Sequence, residues 1–315
     1  MSAGLSTPVS VFFYRRPDHL RQVMERVRAA RPPRLFGVSD GPKPDRPETL
    51  AGVEQSRRIF RESIDWPCEW ELCARETNIG SYLSDSRGLD EILKSVEQTI
   101  ILEDDTVPEP DFFRFVAELL ETYRDDPRIG AICGNNYDAP EDWKGRGSYR
   151  LSRYHHSWGW GTWRRAWRVF DREEKLMVKL EDRKWRRSLP LSRKEWAYWE
   201  RCFRRTYARK LDAWDYRWTL SLWVHGMSCI IPCGNLVRNI GFDSLGTHTL
   251  EKDFRHHPMH DPEPLAFPLI HPARLEPDPA LDDRVFQRHY RVLEGRREWW
   301  EKLRDRLWRR RKPES

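Results

Sequence analysis

The chain has 315 residues, 56 Lys and Arg against 50 Asp and Glu, a net charge of +6 and 16 tryptophans. That length allows one large α/β domain or two small ones, and no apolar run approaches the ~20 residues of a membrane span. The positive charge is local: residues 296–312, from Arg296 to Lys312, carry nine basic and three acidic residues, so the remainder is near neutral and a basic body for nucleic acid is excluded.

The opening residues enter a strand within ten positions, with no basic n-region or signal core. The six cysteines show no paired C-x-x-C spacing. The expectation is a cytoplasmic protein with reduced thiols. Residues 9–14 (VSVFFY) are a continuous apolar run and read as the first, central strand. Arg15, Arg16, Pro17 and Asp18 close it, and Leu20, Val23, Met24 and Val27 mark one helix face. A second strand over 35–39 ends in the turn Asp40-Gly41-Pro42. A polar helix over 49–64 and a strand over 69–74 follow. Asn78 and Gly80 then form a capping turn before a helix through Leu83, Leu89, Ile92, Leu93 and Val96.

The stretch 98–113, QTIILEDDTVPEPDFF, organises the rest. Thr99 to Leu102 form a buried strand, Glu103, Asp104 and Asp105 follow at once, and Asp111 stands where an N-cap would start a helix. Carboxylates at the C-terminal edge of a buried strand lie in the crevice where α/β sheets bind ligands. They are hard ligands suited to Mg2+ or Mn2+, and such a metal could bridge to substrate phosphates. A further strand over 129–133 runs into Asn135 and Asn136, whose amides suit hydroxyl-rich ligands or a plain turn. Strand–helix alternation to this point predicts a mostly parallel, doubly wound sheet.

In 154–167 (YHHSWGWGTWRRAW), Trp158, Trp160 and Trp163 alternate with Gly159 and Gly161. The rings either stack on sugar faces or pack under the sheet edge, and adjacent His155 and His156 point apart, which disfavours a metal there. Residues 176–210 are strongly charged with aromatics at amphipathic spacing. Asp212 and Asp215 precede a helix through Leu220, Leu222 and Val224. Asp215 is either a catalytic carboxylate or an acid favouring the helix dipole. A late strand over 228–232 leads to a glycine-punctuated loop with Arg238, Asn239 and His248. A proline strap over 262–279 and a basic, Trp-rich helix over 284–312 complete the chain. Basic residues with interfacial Trp describe a helix on an anionic membrane, or one packed on the domain.

The order of strand, Glu-Asp-Asp, Pro-Asp-Phe-Phe and helix resembles the acidic DXD-type metal segment of GT-A glycosyltransferases. It is nearest to the N-acetylglucosaminyltransferase I-like group and bacterial family 2-like sugar transferases. The resemblance implies an α/β GT-A fold, Rossmann-like, with a mixed sheet flanked by helices. It further implies a glycosyltransferase domain over 1–275, with a nucleotide-sugar half over about 1–133 and an acceptor half over about 134–275. A C-terminal helix would occupy 276–315.

By the same resemblance Asp105 is the direct metal ligand, with Glu103 and Asp104 facing sugar and ribose. Arg16 and Asp40 meet the nucleotide; Asn78, Ser81 and Arg87 are further donor-side candidates. Asp215 is the base, with Asp212 as fallback. His248 is a second metal ligand, Arg238 and Asn239 meet phosphate, and Asn135, Asn136, Trp158 and Trp160 meet the acceptor. The implied activity is metal-dependent, inverting hexosyl transfer from a nucleoside diphosphate sugar, UDP-sugar favoured, to a glycan or lipid-linked glycan in surface polysaccharide synthesis. Its cofactor would be Mn2+ or Mg2+. Two other readings remain open at this level: a non-catalytic sugar-nucleotide-binding protein, and a metal-dependent phosphoryl-transfer hydrolase.

Overall fold

A computed structural model describes residues 5–138, 142, 147–242 and 261–291 of the chain. In chain order, β1 (Val9–Phe13), α1 (Pro17–Ala30), β2 (Arg34–Ser39), α2 (Thr49–Glu62), β3 (Glu69–Ala74) and α3 (Ser81–Ser95) form the first half. Then come β4 (Gln98–Glu103), β5 (Thr106–Pro108), α4 (Pro110–Thr122) and β6 (Ile129–Cys133). The second half holds β7 (Tyr149–Ser152), β8 (Trp160–Trp163), α5 (Arg164–Trp167), α6 (Arg183–Ser188), α7 (Arg193–Tyr207) and α8 (Asp215–Val224). It closes with β9 (Ser228–Pro232), β10 (Val237–Asn239) and α9 (Pro279–Val285).

The continuous apolar runs become the sheet centre, as expected for strands covered on both faces by helices. Every residue of β1 is buried, and so are Thr99 to Leu102 of β4. The eight-stranded sheet has the order β3-β2-β1-β4-β8-β6-β9-β7. β1 pairs in parallel with both β2 and β4, and β2 with β3. The fold is therefore α/β, a large mixed sheet flanked by helices. Its connection reverses between β1 and β4, because β2 and β3 grow one way from β1 and the later strands the other. A crevice opens at such a reversal, outside the carboxyl ends of the two strands.

β1 to β4 and β6 keep the expected parallel sense, and the strands that make the sheet mixed, as the GT-A resemblance implies, all lie in the second half. β8 runs antiparallel to both β4 and β6, and β7 antiparallel to β9, while β6 and β9 are parallel. The Trp-Gly-Trp run, patterned like a permissive loop, is this buried strand. Its glycine explains why: a Cβ on Gly161 would come 2.6 Å from Val116 Cγ1, so only glycine lets α4 lie this close to the sheet. Trp163 Nε1 donates to the Leu120 carbonyl at 3.0 Å and fixes the same contact.

The start of α4 is also shifted from expectation. Glu109 is its N-cap and Pro110 its first residue, as proline's fixed φ favours. Asp111 lies in the first turn, and its Oδ2 accepts the Leu265 amide at 2.9 Å, tying down the proline strap.

Two apolar clusters result. One fills the sheet; the other gathers Tyr154, Trp199, Phe203, Trp223, Phe286 and Tyr290 between α7, α8 and the segment after α9. A buried ionic lattice joins α9 to β7: Asp282 accepts from Arg150 Nη1 at 2.6 Å, Ser152 Oγ at 2.7 Å and the Arg153 amide at 3.0 Å. No helix among the described residues is long and apolar enough to cross a membrane.

Candidate active site at the reversal between β1 and β4

Arg16 leaves the end of β1, and Asp104 and Asp105 leave the end of β4, its parallel neighbour. The register therefore delivers the guanidinium to the two carboxylates. Arg16 Nη2 is bonded to Asp104 Oδ1 and lies 2.8 Å from Asp105 Oδ2. The Tyr14 amide donates to Asp104 Oδ2 at 3.2 Å. Burial alone would lower Arg16, but Asp104 and Asp105 outweigh it and hold its cation firmly protonated. Burial pushes Asp105 up, and Arg16 pulls it partly back.

The turn itself is closed by Thr106, which accepts the Glu103 amide at 2.8 Å and donates to the Glu103 carbonyl at 3.1 Å. The three consecutive acids then diverge. Asp104 and Asp105 meet Arg16, while Glu103 faces the other way, into a cavity of about 10 Å3, with Asp85 of α3 and the rings of Trp160, Trp167 and Trp214. Such a space holds about one water. Asp85 accepts from Ser81 Oγ at 2.8 Å. Burial, followed by the charges of Asp40, Asp212 and Asp104, pushes Asp85 up to about 7 against that hydrogen bond. Burial, then Asp105, Asp85 and Asp104, push Glu103 well above the usual carboxylate range.

The far end of the chain is brought onto the same turn. β10 pairs antiparallel with β5, placing Arg238 opposite Val107 and Asn239 opposite Thr106. The Ile240 amide donates to the Asp105 carbonyl at 2.8 Å, and the Ile240 carbonyl lies 3.0 Å from His19 Nε2. A Cβ on Gly241 would collide with the Asp105 carboxylate. Arg238 is exposed and Asn239 buried, its Oδ1 accepting the Gly241 amide at 2.8 Å. Trp158, half-buried, stands edge-on to Tyr137 and to Phe242, ring centroids 5.5 and 5.7 Å away.

Other sequence candidates sit elsewhere or are spent internally. Asp40 accepts from the Gly41, Ile79 and Gly80 amides at 2.8, 3.0 and 3.1 Å and from Asn78 Nδ2 at 2.8 Å. Asp40 and Asn78 thus serve each other and the loop that starts α3. Burial raises Asp40 against those amide bonds. Asp212 accepts the Ser81 and Tyr82 amides at 3.1 and 3.0 Å, so it caps α3. Arg87 is exposed on α3.

On the acceptor side, Asn136 gives Nδ2 to the Pro232 carbonyl at 2.8 Å and takes the Asp138 amide at 2.7 Å. Asn135 is buried beside the Tyr137 hydroxyl. Trp160 is 1% exposed and stacked on Trp214 at 5.4 Å, so it packs rather than presenting a face. His155, buried among Trp160, Trp214 and Trp218, is held well below the usual imidazole range by desolvation, then by His156. Asp215 opens α8 immediately after Trp214 of the cavity wall, and its charge bears on Tyr137 and Tyr290. His248 and residues 296–312 lie outside the described residues.

His19, Asp85, Gly241 and Phe242 had no signal of their own in the chain. Among the described residues no three His, Cys, Asp or Glu side chains are placed to hold a metal by themselves. Asp105 nevertheless fits a single-carboxylate site, because its Oδ1 is buried without a partner. Mg2+ is commonly held by one or two carboxylates, its remaining ligands being water and substrate phosphate.

No family model and no curated protein matches the chain. Among solved structures, the crystal structure of UDP-glucose pyrophosphorylase complexed with UDP-glucose is similar at a TM-score of 0.28 and 13% identity, covering 46% of this chain. This chain spans 64% of that protein's length.

Proposed function

We propose that this protein is a sugar-transferring enzyme of GT-A type, using a nucleoside diphosphate sugar as donor. The observation that carries the reading is the convergence of Arg16, Asp104, Asp105 and the β10 segment at the reversal between β1 and β4. A crevice at that place, with the Arg16 cation and two carboxylates in it and Arg238 exposed on the strand beside it, suits a diphosphate with its counter-ion. Arg238 and Arg16 would meet the phosphate oxygens, and Asp105 would hold Mn2+ or Mg2+ through its free Oδ1. When bound, such an ion offsets charge developing on the leaving diphosphate.

Asp215 is assigned as base: it takes the proton from an acceptor hydroxyl as that oxygen bonds to the anomeric carbon and the diphosphate leaves from the opposite side. Trp158 with Phe242 forms the aromatic wall beside the site, suited to the apolar face of a sugar ring. Glu103, which lines the small cavity beside Asp85, is assigned no contact with the donor. The acceptor class proposed is a glycan or lipid-linked glycan hydroxyl, with UDP-sugar as the favoured donor.

The deciding experiment is calorimetry with UDP, GDP and dTDP, with and without Mn2+, on the wild type and Asp105→Ala. Metal-dependent binding of one nucleotide, lost in the variant, supports the reading. No binding of any nucleotide under either condition overturns it.

A further inference from the structure

A second surface stands apart from the crevice. Between positions 183 and 194 the chain carries Arg183, Lys184, Arg186, Arg187, Arg193 and Lys194 and no acid. All six are exposed, and among the described residues the acids nearest them pair with Lys179, Arg204 and Arg153 instead. α6, which carries four of them, buries none of its residues. Apolar side chains lie among these cations: Val178 is 69% exposed, and Trp185, Leu189 and Leu191 are half-buried against the second cluster with their outer sides in solvent.

The flanking acids are engaged elsewhere, Glu181 with Arg204, Asp182 with the α6 amides and Glu195 with Arg153, so the cost of crowding six cations argues for a partner that supplies counter-charge. The mixture indicates which. A nucleic acid rewards cations and planar rings, but gains nothing from an exposed valine and leucines. An anionic lipid surface rewards both, since phosphate head groups attract the cations and the interface accepts the aliphatic tips.

We infer that the 178–194 face, with α6 at its centre, docks this protein on an anionic membrane surface. The basic stretch 296–312 is not needed for the argument, and neither is the proposed transfer chemistry. Asp182 Oδ1 accepts the Lys184 and Trp185 amides at 3.0 Å each and caps α6, which holds its cations on a formed helix. The capping box of Ser192 and Glu195 does the same for Arg193 and Lys194 at the start of α7.

The test is co-sedimentation of the full chain with phosphatidylcholine vesicles and with vesicles also containing phosphatidylglycerol, at low and high salt. Three proteins are compared: the wild type, a variant carrying R183Q, K184Q, R187Q, R193Q and K194Q, and a variant with the basic residues of 296–312 changed to Gln. Arg186 is left in place because it packs over the Trp196 ring.

The expected result is wild-type binding to the anionic vesicles only, weakened by salt, and reduced by about a hundredfold in the first variant. Val178→Asp should weaken it further at high salt. Circular dichroism and a thermal midpoint like the wild type's show that the first variant is folded. Undiminished binding by that variant, loss confined to the 296–312 variant, or wild-type binding to RNA but not to vesicles would each overturn the inference.

Discussion

Asp105 divides its carboxylate: Oδ2 stands 2.8 Å from the Arg16 guanidinium, while Oδ1 is buried with no partner. Arg16 also bonds Asp104, so a single cation is shared by a pair of carboxylates that the turn forces together. Arg16→Met removes that cation and leaves two partly desolvated carboxylates facing each other. The expected loss is about 3 kcal/mol of stability, read as a lower urea midpoint at neutral pH. At pH 4 the loss should shrink, because Asp105, raised by burial, is then protonated more readily.

Gly241 covers the same carboxylate from the other side. Gly241→Ala sets a methyl group against Asp105 and Arg16, two side chains that can shift, so the fold should survive. Nucleoside diphosphate affinity should fall by about tenfold or more, as expected when a site is misplaced by an ångström. Calorimetry beside an unchanged thermal midpoint checks this. Unchanged affinity would remove Gly241 from the site.

Asp85 sets a pH dependence whose sign can be worked out. Its native value of about 7 lies above its ordinary 3.8, so the native state binds the proton more tightly. Stability from this group is complete below about 3.8 and is lost as pH rises through about 7. Asp85→Asn has no charge to bury. It should be more stable than the wild type at pH 8 and show a flatter stability profile between pH 4 and 8 in urea titrations. Glu103, in the same cavity, shifts in the same direction and should add to the slope in the wild type.

Asp212 and Asp215 are separable. Asp212→Ala removes the acceptor of two amides at the start of α3 and should cost about 1 kcal/mol, seen in the denaturation midpoint. Asp215→Asn should lower the rate of sugar transfer by about a hundredfold or more while donor binding is kept. Transfer at the wild-type rate in Asp215→Asn would remove it as the base.

Asp282 lies at the centre of the α9 lattice, fully buried, with Arg150, Ser152 and the Arg153 amide around it. Asp282→Ala should cost about 3–5 kcal/mol, the loss expected when one partner of a buried ionic group is removed. A small change in the urea midpoint would show that α9 contributes little to the fold.

The chain's own pattern determined the first half of the sheet and the place of the acids. VSVFF, RLFGVS and TIIL are apolar enough to admit only central strands, and an acidic triplet after the last must lie at a strand end. Periodicity could not show that Trp160 to Trp163 form a strand, because burial on both faces erases the alternation that marks one.

The local pattern was also silent on how the three acids part, since successive residues at a turn take directions set by what approaches them. Arg16 comes from 88 residues away to Asp104, and the Asp212 cap crosses 131 positions to Ser81. Only the tertiary structure decided that Asp40 and Asn78 bond each other, that Trp160 lies in the core, and that Gly241 closes over Asp105. The physical reason is the same in each case. A side chain's type fixes which bonds it can make, but the partner that satisfies it is chosen by packing between segments far apart in the chain.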